Sequence, residues 1–187
     1  GIWQPVYLKA WTRSTICSAS VITKDIQDNQ ANLLFEACVN ADMEHNISLQ
    51  LYQENVKILD EKVELKKGKN YYSFLFEVAE PKLWCPNELG EQNMYSFNVK
   101  MVDNDKEKII EERNITMGIR TVEMIEEPDS IGTAFYFKVN GTPLYMKGAN
   151  YIPEEMITLW MSREKTKKLL EQCVGDAHMN MLRIWGG

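Results

Sequence analysis

The sequence has few of the features that mark membrane proteins or nucleic-acid-binding proteins. It contains no apolar run long enough to span a bilayer. Its formal net charge is -6, whereas phosphate binding needs clustered lysine and arginine. Lys165, Lys167 and Lys168 do lie close together, but their spacing predicts the polar face of a helix. We therefore predict no nucleic-acid partner and no membrane partner.

Cysteine and histidine are scarce as well. The chain has four cysteines: Cys17, Cys38, Cys85 and Cys173. They form no C-x-x-C pair, and the two histidines lie far from them in sequence, so we predict no metal site and no cofactor. We expect the cysteines to be buried free thiols. The sequence alone leaves disulfide pairing open.

Apolar residues make up 44% of the chain and charged residues 26%, as in an ordinary globular protein. Within residues 31–39, every second side chain is apolar, which is the period of a half-buried strand. Similar runs recur along the first two thirds, separated by polar turns. About seven short strands with regular turns predict a mainly β fold, an immunoglobulin-like antiparallel β-sandwich over residues 1–125. A closed barrel is the alternative. We also expect residues 6–10 to pair as a strand.

The last third, residues 126–187, begins with an acidic segment that contains Pro128 and is predicted to be a second domain. Asn140-Gly141 between two strand-like runs predicts a hairpin, with the returning strand at residues 144–147. A helix is expected over residues 162–177, capped by Ser162. A buried strand is expected at residues 179–184. This strand–loop–helix–strand order predicts the start of a parallel sheet, so we expect the chain to be part of a longer one.

Residues 83–95 form the one long connection in the sandwich and contain Trp84 and Pro86. Proline holds the residue before it in an extended conformation. Two interpretations remain open: a loop at the end of the sandwich that is fixed by a buried indole, or a loop that contacts a ligand.

Arg183 is the most informative residue of the last predicted strand. A buried guanidinium without a partner is costly, so it needs a carboxylate. At the carboxyl end of a barrel strand, that carboxylate would belong to an active site; the alternative is a structural ion pair. Trp185 offers a flat apolar face suited to a sugar ring, or is a rim residue of the core. Asn150 and Tyr151 end the preceding strand in the same way.

Several motifs resemble those of the β-mannosidases of glycoside hydrolase family 2. They are G-I-W-Q-P-V-Y-L at 1–8, L-W-C-P-N-E-L-G-E-Q at 83–92, G-I-R-T-V at 118–122, F-K-V-N-G-T-P-L-Y-M-K-G-A-N-Y-I-P at 137–153 and N-M-N-M-L-R-I-W-G-G ending at 187. The resemblance covers essentially the whole chain. It implies an immunoglobulin-like domain followed by the first strand–helix–strand of a (β/α)₈ barrel.

The resemblance further implies a longer parent enzyme that releases terminal β-linked mannose with retention. Both catalytic glutamates of the family lie on later barrel strands, so the expected partners are a β-mannoside substrate and the rest of the barrel, and this chain should be inactive. Alternatives are a family 2 exo-glycosidase of other specificity, such as an exo-β-glucosaminidase, and a non-catalytic carbohydrate-binding sandwich module.

The supporting residues are carried over position by position from the family motifs. Arg183 matches the arginine that lies against the nucleophile, and Trp185 matches a tryptophan of the mannose pocket. Asn150, Tyr151 and Asn180 lie in matching motifs, and we predict that they bind substrate. The loop departs from the family pattern, since Cys85 replaces a frequent tryptophan and Glu88 a frequent glycine.

Overall fold

The computed structural model describes residue 2, residues 5–157 and residues 160–186. Gly1, Trp3 and Gln4 of the first motif and Gly187 of the last lie outside the described residues. The chain divides into two compact units. The sandwich unit comprises Lys9–Leu83 and Asn93–Thr121, and the C-terminal unit comprises the described residues of Gly1–Leu8, Trp84–Gln92 and Val122–Gly187.

The sandwich unit consists of two antiparallel sheets. Its strands are β1 (Ser14–Gln27), β2 (Gln30–Ala41), β3 (His45–Gln53), β4 (Val56–Leu65), β5 (Gly68–Ala79), β6 (Tyr95–Asp103) and β7 (Lys108–Met117). One sheet has the order β1-β2-β5 and the other β4-β3-β6-β7. Two separate sheets, in place of one closed sheet, confirm the predicted sandwich over the barrel alternative.

The core of the sandwich follows the period of two in the sequence. Alternate side chains of β2, including Leu33, Phe35 and Val39, are fully buried. They pack with the inward side chains of the opposite sheet, among them Leu49 and Phe97, in one continuous cluster. Burial of apolar surface on this scale is the main stabilising term of a domain of this size.

A carboxylate on β7 joins the edges of the two sheets. Glu111 Oε2 accepts hydrogen bonds from the Ile16 backbone N–H (2.9 Å) and the Thr15 hydroxyl (2.8 Å) on β1. Its Oε1 accepts from Arg113 Nε (3.0 Å), Arg113 Nη2 (2.9 Å) and Lys9 Nζ (3.2 Å). Burial alone would raise the pKa of this carboxyl, but the hydrogen bonds lower it to about 2. Glu111 therefore stays ionised in the folded protein and links the edge strand β7 of one sheet to the edge strand β1 of the other.

The C-terminal unit begins with a small antiparallel sheet of order β10-β9-β8. Its strands are β8 (Val122–Pro128), β9 (Thr133–Val139) and β10 (Thr142–Leu144). Asn140 (φ 51°) and Gly141 (φ 73°) both have positive φ, which is the hairpin turn that Asn-Gly predicts. The returning strand is β10 and not residues 144–147. Pro143 lies on this edge strand, where a missing N–H is tolerated.

The predicted strand–loop–helix–strand order is present. β11 (Gly148–Tyr151) pairs in parallel with β12 (Met181–Ile184), and α1 (Arg163–Glu171) lies between them in sequence. Ser162 caps α1 by accepting a hydrogen bond from the Lys165 N–H at 3.2 Å, as predicted. The helix then continues as a π-helical turn, Gln172–Asp176, so the expected single helix over residues 162–177 consists of two types of helix.

Four expectations need correction. Residues 6–10 form no strand and are exposed. β12 is half-buried to exposed, because β11 is the one strand beside it in the described part of the chain. Only Cys38 is a buried thiol, whereas Cys17 is exposed and the other two cysteines are half-buried. Trp84 is half-buried, not fully buried. The proposed boundary after residue 125 stays a prediction; β8 runs across that position.

Candidate functional site

The predicted site residues lie in the C-terminal unit, around the β11–β12 strand pair. In the parallel register, Asn150 stands opposite Arg183 and Tyr151 opposite Ile184. The Trp185 N–H donates to the carbonyl of Tyr151 at 3.1 Å, so the ladder continues one residue past β12. The carboxyl ends of both strands therefore meet at one edge, which brings Asn150, Tyr151, Arg183 and Trp185 together.

A glycine permits this strand pairing. A Cβ atom built on Gly148 would lie 2.0 Å from the carbonyl oxygen of Met181. No side chain fits at that distance, so the close approach of β12 to β11 requires glycine here. The K-G-A-N motif thus contains a residue whose role is steric. The sequence gives no sign of this, because the clash involves a residue 33 positions away, as the pairing of Gly148 with Met181 shows.

Arg183 is exposed, contrary to the expectation of a buried guanidinium. Its Nη1 donates to Asn150 Oδ1 at 3.1 Å. Within residues 5–157 and 160–186, no carboxylate lies within ion-pair distance of it. The predicted alternative of a local structural ion pair therefore finds no support in this part of the chain. The side chain is oriented by an amide and presents its remaining donors outward.

Tyr151 has a carboxylate neighbour that the sequence analysis did not select. Its hydroxyl donates to Glu154 Oε2 at 3.0 Å, and this hydrogen bond raises the pKa of Tyr151. The backbone N–H of Glu154 itself is the main cause of the lowered pKa of that carboxyl. The signal available in the sequence was the position of Glu154, which follows Tyr151 by three residues with Pro153 between them. Glu154 therefore belongs to the candidate site as a positioning residue for the Tyr151 hydroxyl.

Asn180 differs from the other four residues because it lies immediately before β12, roughly 13 Å along the chain from Ile184 at the usual rise per strand residue. Its Oδ1 accepts from the Lys147 N–H at 2.9 Å, and its Nδ2 donates to the Tyr145 carbonyl at 3.2 Å. Both ends of the amide are therefore occupied by backbone. A substrate-binding role for Asn180 stays a prediction. Its hydrogen bonds join the residue before β12 to the backbone just before β11.

Trp185 follows β12 directly and is 51% exposed. About half of its surface is therefore open to a ligand, and the Asn150–Arg183 pair offers polar groups at the same edge. Trp185 thus adds a large flat apolar surface at the edge that carries the Asn150–Arg183 pair. An exposed aromatic face beside hydrogen-bonding groups is an arrangement suited to sugars, which present both C–H and O–H surfaces.

The Trp84–Gln92 loop belongs to the same compact unit as the strand pair. Asn87 Nδ2 donates to the carbonyl of Val174 in the π-helical turn (3.1 Å) and to the carbonyl of Met179 before β12 (3.2 Å). Asn140 Nδ2, in the hairpin turn, donates to the Trp84 carbonyl at 3.0 Å. The loop is therefore fixed from two sides, a role that its sequence did not reveal.

Glu88, one of the two loop residues that depart from the family pattern, completes this attachment. It lies 2.6 Å from Lys147 Nζ and 2.6 Å from His178 Nδ1. The hydrogen bond from Lys147 is the main cause of the lowered pKa of Glu88. These groups are well exposed, so the ion pairs contribute modestly to stability. The Glu88 side chain thus adds an attachment point for the loop.

The described residues contain no group of three or more His, Cys, Asp or Glu side chains arranged to hold a metal ion. Among the helices in this part of the chain, none is long and apolar enough to cross a membrane.

The family model for glycosyl hydrolases family 2 matches residues 16–120. These residues are more than half of the chain and include all but the first two residues of the seven-stranded sandwich. The chain therefore belongs to glycosyl hydrolases family 2. The parallel strand pair that carries the candidate site lies outside the matched segment.

Individual relatives extend the similarity to the candidate site. The chain is 31% identical to the β-mannosidase of Bos taurus over 187 residues, which is 97% of this chain and 19% of the relative. The structure of a β-D-mannosidase from Dictyoglomus thermophilum matches 96% of this chain and 22% of that one, with 27% identity and a TM-score of 0.83. The exo-chitosanase of Amycolatopsis orientalis (22% identity, 93% of this chain, 20% of that one, TM-score 0.78) supports the fold alone. The chain spans about a fifth of the length of these relatives.

Proposed function

We propose that this chain is part of a retaining glycoside hydrolase that removes terminal β-linked mannose. In this proposal residues 1–125 form an immunoglobulin-like sandwich domain, and residues 126–187 form the first strand–helix–strand of a (β/α)₈ catalytic barrel. The similarity to the bovine and Dictyoglomus thermophilum β-mannosidases over 96–97% of the chain supports the substrate class. The parallel β11–β12 pair with α1 between its strands supports the start of a barrel.

The observation that carries the proposal is the Asn150–Arg183 pair at the carboxyl edge of the two strands. The guanidinium is exposed, is held by one amide oxygen at 3.1 Å, and has no carboxylate partner among the described residues. A cation fixed in this way is available to an acid from elsewhere in a longer chain. In (β/α)₈ enzymes, the carboxyl edge of the strands carries the active site.

The apolar side chains of α1 and the π-helical turn support a larger assembly. Leu170 is 39% exposed and Val174 is 46% exposed, and α1 has no buried residue. A helix of a complete (β/α)₈ barrel covers its apolar stripe against the strands of the barrel. Further strands beside β12 would supply that cover.

The chemistry assigned to the site follows from the needs of retention. Retaining hydrolysis uses two carboxylates about 5–5.5 Å apart, one as nucleophile and one as acid/base. Arg183 would keep the nucleophile ionised, because a neighbouring cation lowers the pKa of a carboxyl. Trp185 would pack against the C–H face of the sugar, and Asn150 would hold Arg183 in place. Both carboxylates are expected outside residues 1–187, so this chain alone should not turn over substrate.

Hydrolysis of an aryl β-mannoside tests the proposal. The 187-residue chain should show no turnover, while the longer polypeptide that contains it should be active. In the longer polypeptide, Arg183→Ala should lower kcat by more than tenfold and shift the acidic limb of the pH profile upward, since the nucleophile loses its cation. Lys62→Ala, which removes an exposed cation from the sandwich, is the matched control. An unchanged rate and profile for Arg183→Ala would remove the assigned role.

The two alternative functions give different outcomes. A longer polypeptide that cleaves an aryl β-glucosaminide in preference to the β-mannoside would overturn the mannose assignment and keep the family. Saturable binding of mannose or an oligosaccharide to the 187-residue chain in calorimetry would favour a carbohydrate-binding module, because half of a catalytic pocket should bind too weakly to detect.

A further inference from the structure

Two of the four cysteines lie opposite each other on β1 and β2. In the ladder between these strands, Ile16 pairs with Val39 and Ser18 pairs with Cys38. Cys17 is therefore the additional residue of a β-bulge. Because a bulge sets two residues of one strand against one residue of the other, Cys17 and Ser18 together oppose Cys38.

The two thiols differ in exposure. Ala37 and Val39, on either side of Cys38, fill the core, so Cys38 faces the outer side of its sheet. It is nevertheless only 7% exposed. On β5, the residue that pairs with Cys38 is Tyr71. Cys17 is exposed, and both cysteines are free thiols. An accessible thiol thus stands beside a shielded one.

The thiol of Cys38 responds to this environment. Burial raises its pKa, and the neighbouring Cys17 raises it further. The influence of Cys17 agrees with the bulge register, which places the two side chains side by side. Opposed residues of antiparallel strands have Cα atoms about 4.5–5.5 Å apart, and disulfides need about 4.4–6.8 Å. Cys17 shares the position opposite Cys38 with Ser18, and the two thiols lie within hydrogen-bonding reach of each other, so the two sulfurs are neighbours across the bulge.

We propose that Cys17 and Cys38 form a dithiol that a low-molecular-weight disulfide, such as oxidised glutathione, converts to a cross-strand disulfide. The Cys17 thiolate attacks one glutathione sulfur, breaks its S–S bond and releases one glutathione thiolate, which takes up a proton. Cys38 loses its proton to solvent and attacks Cys17 Sγ, which releases the second glutathione. Two protein thiols are oxidised and one glutathione disulfide is reduced to two thiols.

This disulfide would act on an edge of the sandwich. β1 is an edge strand of its sheet, and β2 is its one neighbour among the described strands. A covalent link at the bulge would fasten this strand at one of the two points where its ladder is interrupted. Because the link also restrains the unfolded chain, the oxidised protein should resist urea better than the reduced protein.

Oxidation of the 187-residue chain in glutathione buffers tests the proposal. After acid quenching and alkylation, mass spectrometry should show a species lighter by two hydrogen atoms, and non-reducing peptide mapping should join the segments that contain Cys17 and Cys38. The urea midpoint should rise on oxidation and return on reduction. The Cys85→Ser/Cys173→Ser double variant should behave identically, and Cys17→Ser and Cys38→Ser should each abolish the species.

Two results would overturn the proposal. One is a stable glutathione adduct on Cys17 while Cys38 remains alkylatable. The other is a crosslink that involves Cys85 or Cys173 under the same conditions. Because both are read on the unsubstituted chain, they do not depend on whether a cysteine variant folds.

Discussion

Replacing Glu111 by glutamine should destabilise the sandwich through the loss of one charge. The side chain keeps its size, and one of its oxygens remains to accept a hydrogen bond. What is lost is the ionised acceptor of the backbone N–H of Ile16, the hydroxyl of Thr15 and the cations of Arg113 and Lys9. The contacts with Ile16 and Thr15 join β7 to β1, and each of these strands lies at an edge of its sheet.

The magnitude follows from the pKa of the carboxyl. The ordinary value is 4.5, and the folded protein lowers it to about 2. Each unit corresponds to roughly 1.4 kcal/mol, so the full shift is worth about 3 kcal/mol. The side chain is 20% exposed, and solvent screening reduces this figure. We expect a loss of roughly 2 kcal/mol for Glu111→Gln, which matches about 1.5–3 kcal/mol for a hydrogen bond to a charged group.

Urea unfolding across pH is the assay. Because the folded pKa is lower than the unfolded one, the stabilisation is complete above about pH 4.5 and is lost as the pH falls towards 2. The difference between Glu111→Gln and the unsubstituted chain should therefore be largest at pH 7 and shrink through that window.

The neighbouring Glu112→Gln is the matched control. Glu112 lies on the same strand, 45% exposed, 3.9 Å from Lys100. Its loss should cost less than about 1 kcal/mol, as for a surface ion pair. Equal urea midpoints of the two variants at pH 7 would refute the stabilising role of ionised Glu111. A stability loss of Glu111→Gln that did not change with pH would refute it as well.

Three further changes test other parts of the structure. Gly148→Ala should separate β12 from β11, since its Cβ would lie 2.0 Å from a carbonyl oxygen. Amide hydrogen exchange should become faster in β12 and stay unchanged in β2. Unchanged exchange in β12 of the variant would contradict this prediction. Ser162→Ala should cost α1 about 1 kcal/mol and speed exchange of its first turn, with Ser162→Asp as the rescue. Phe35→Ala should lower the free energy of unfolding by about 3–5 kcal/mol. Leu34→Ala, on the opposite face of β2, should cost clearly less, and a similar cost would question the core assignment.

Sequence reasoning succeeded where the pattern was local. The alternation in β2 was sufficient because a strand with one face in the core repeats every two residues. Asn140-Gly141 predicted its hairpin because those two residues tolerate positive φ at low cost. Ser162 predicted its cap because the hydroxyl reaches an N–H three residues ahead. The family motifs identified Asn150 as a candidate site residue, and in the structure it contacts Arg183.

Sequence patterns predicted the sandwich, the order of strands and helix in the last third, and which residues lie at the carboxyl ends of β11 and β12. The folded structure was needed to show which distant groups meet: Arg183 with Asn150, Glu111 with β1, Glu88 with Lys147, and the backbone of β12 with Gly148. Those contacts join residues far apart in the chain, so no local period records them. They depend on how the strands register against each other, and a shift of one residue would change every partner.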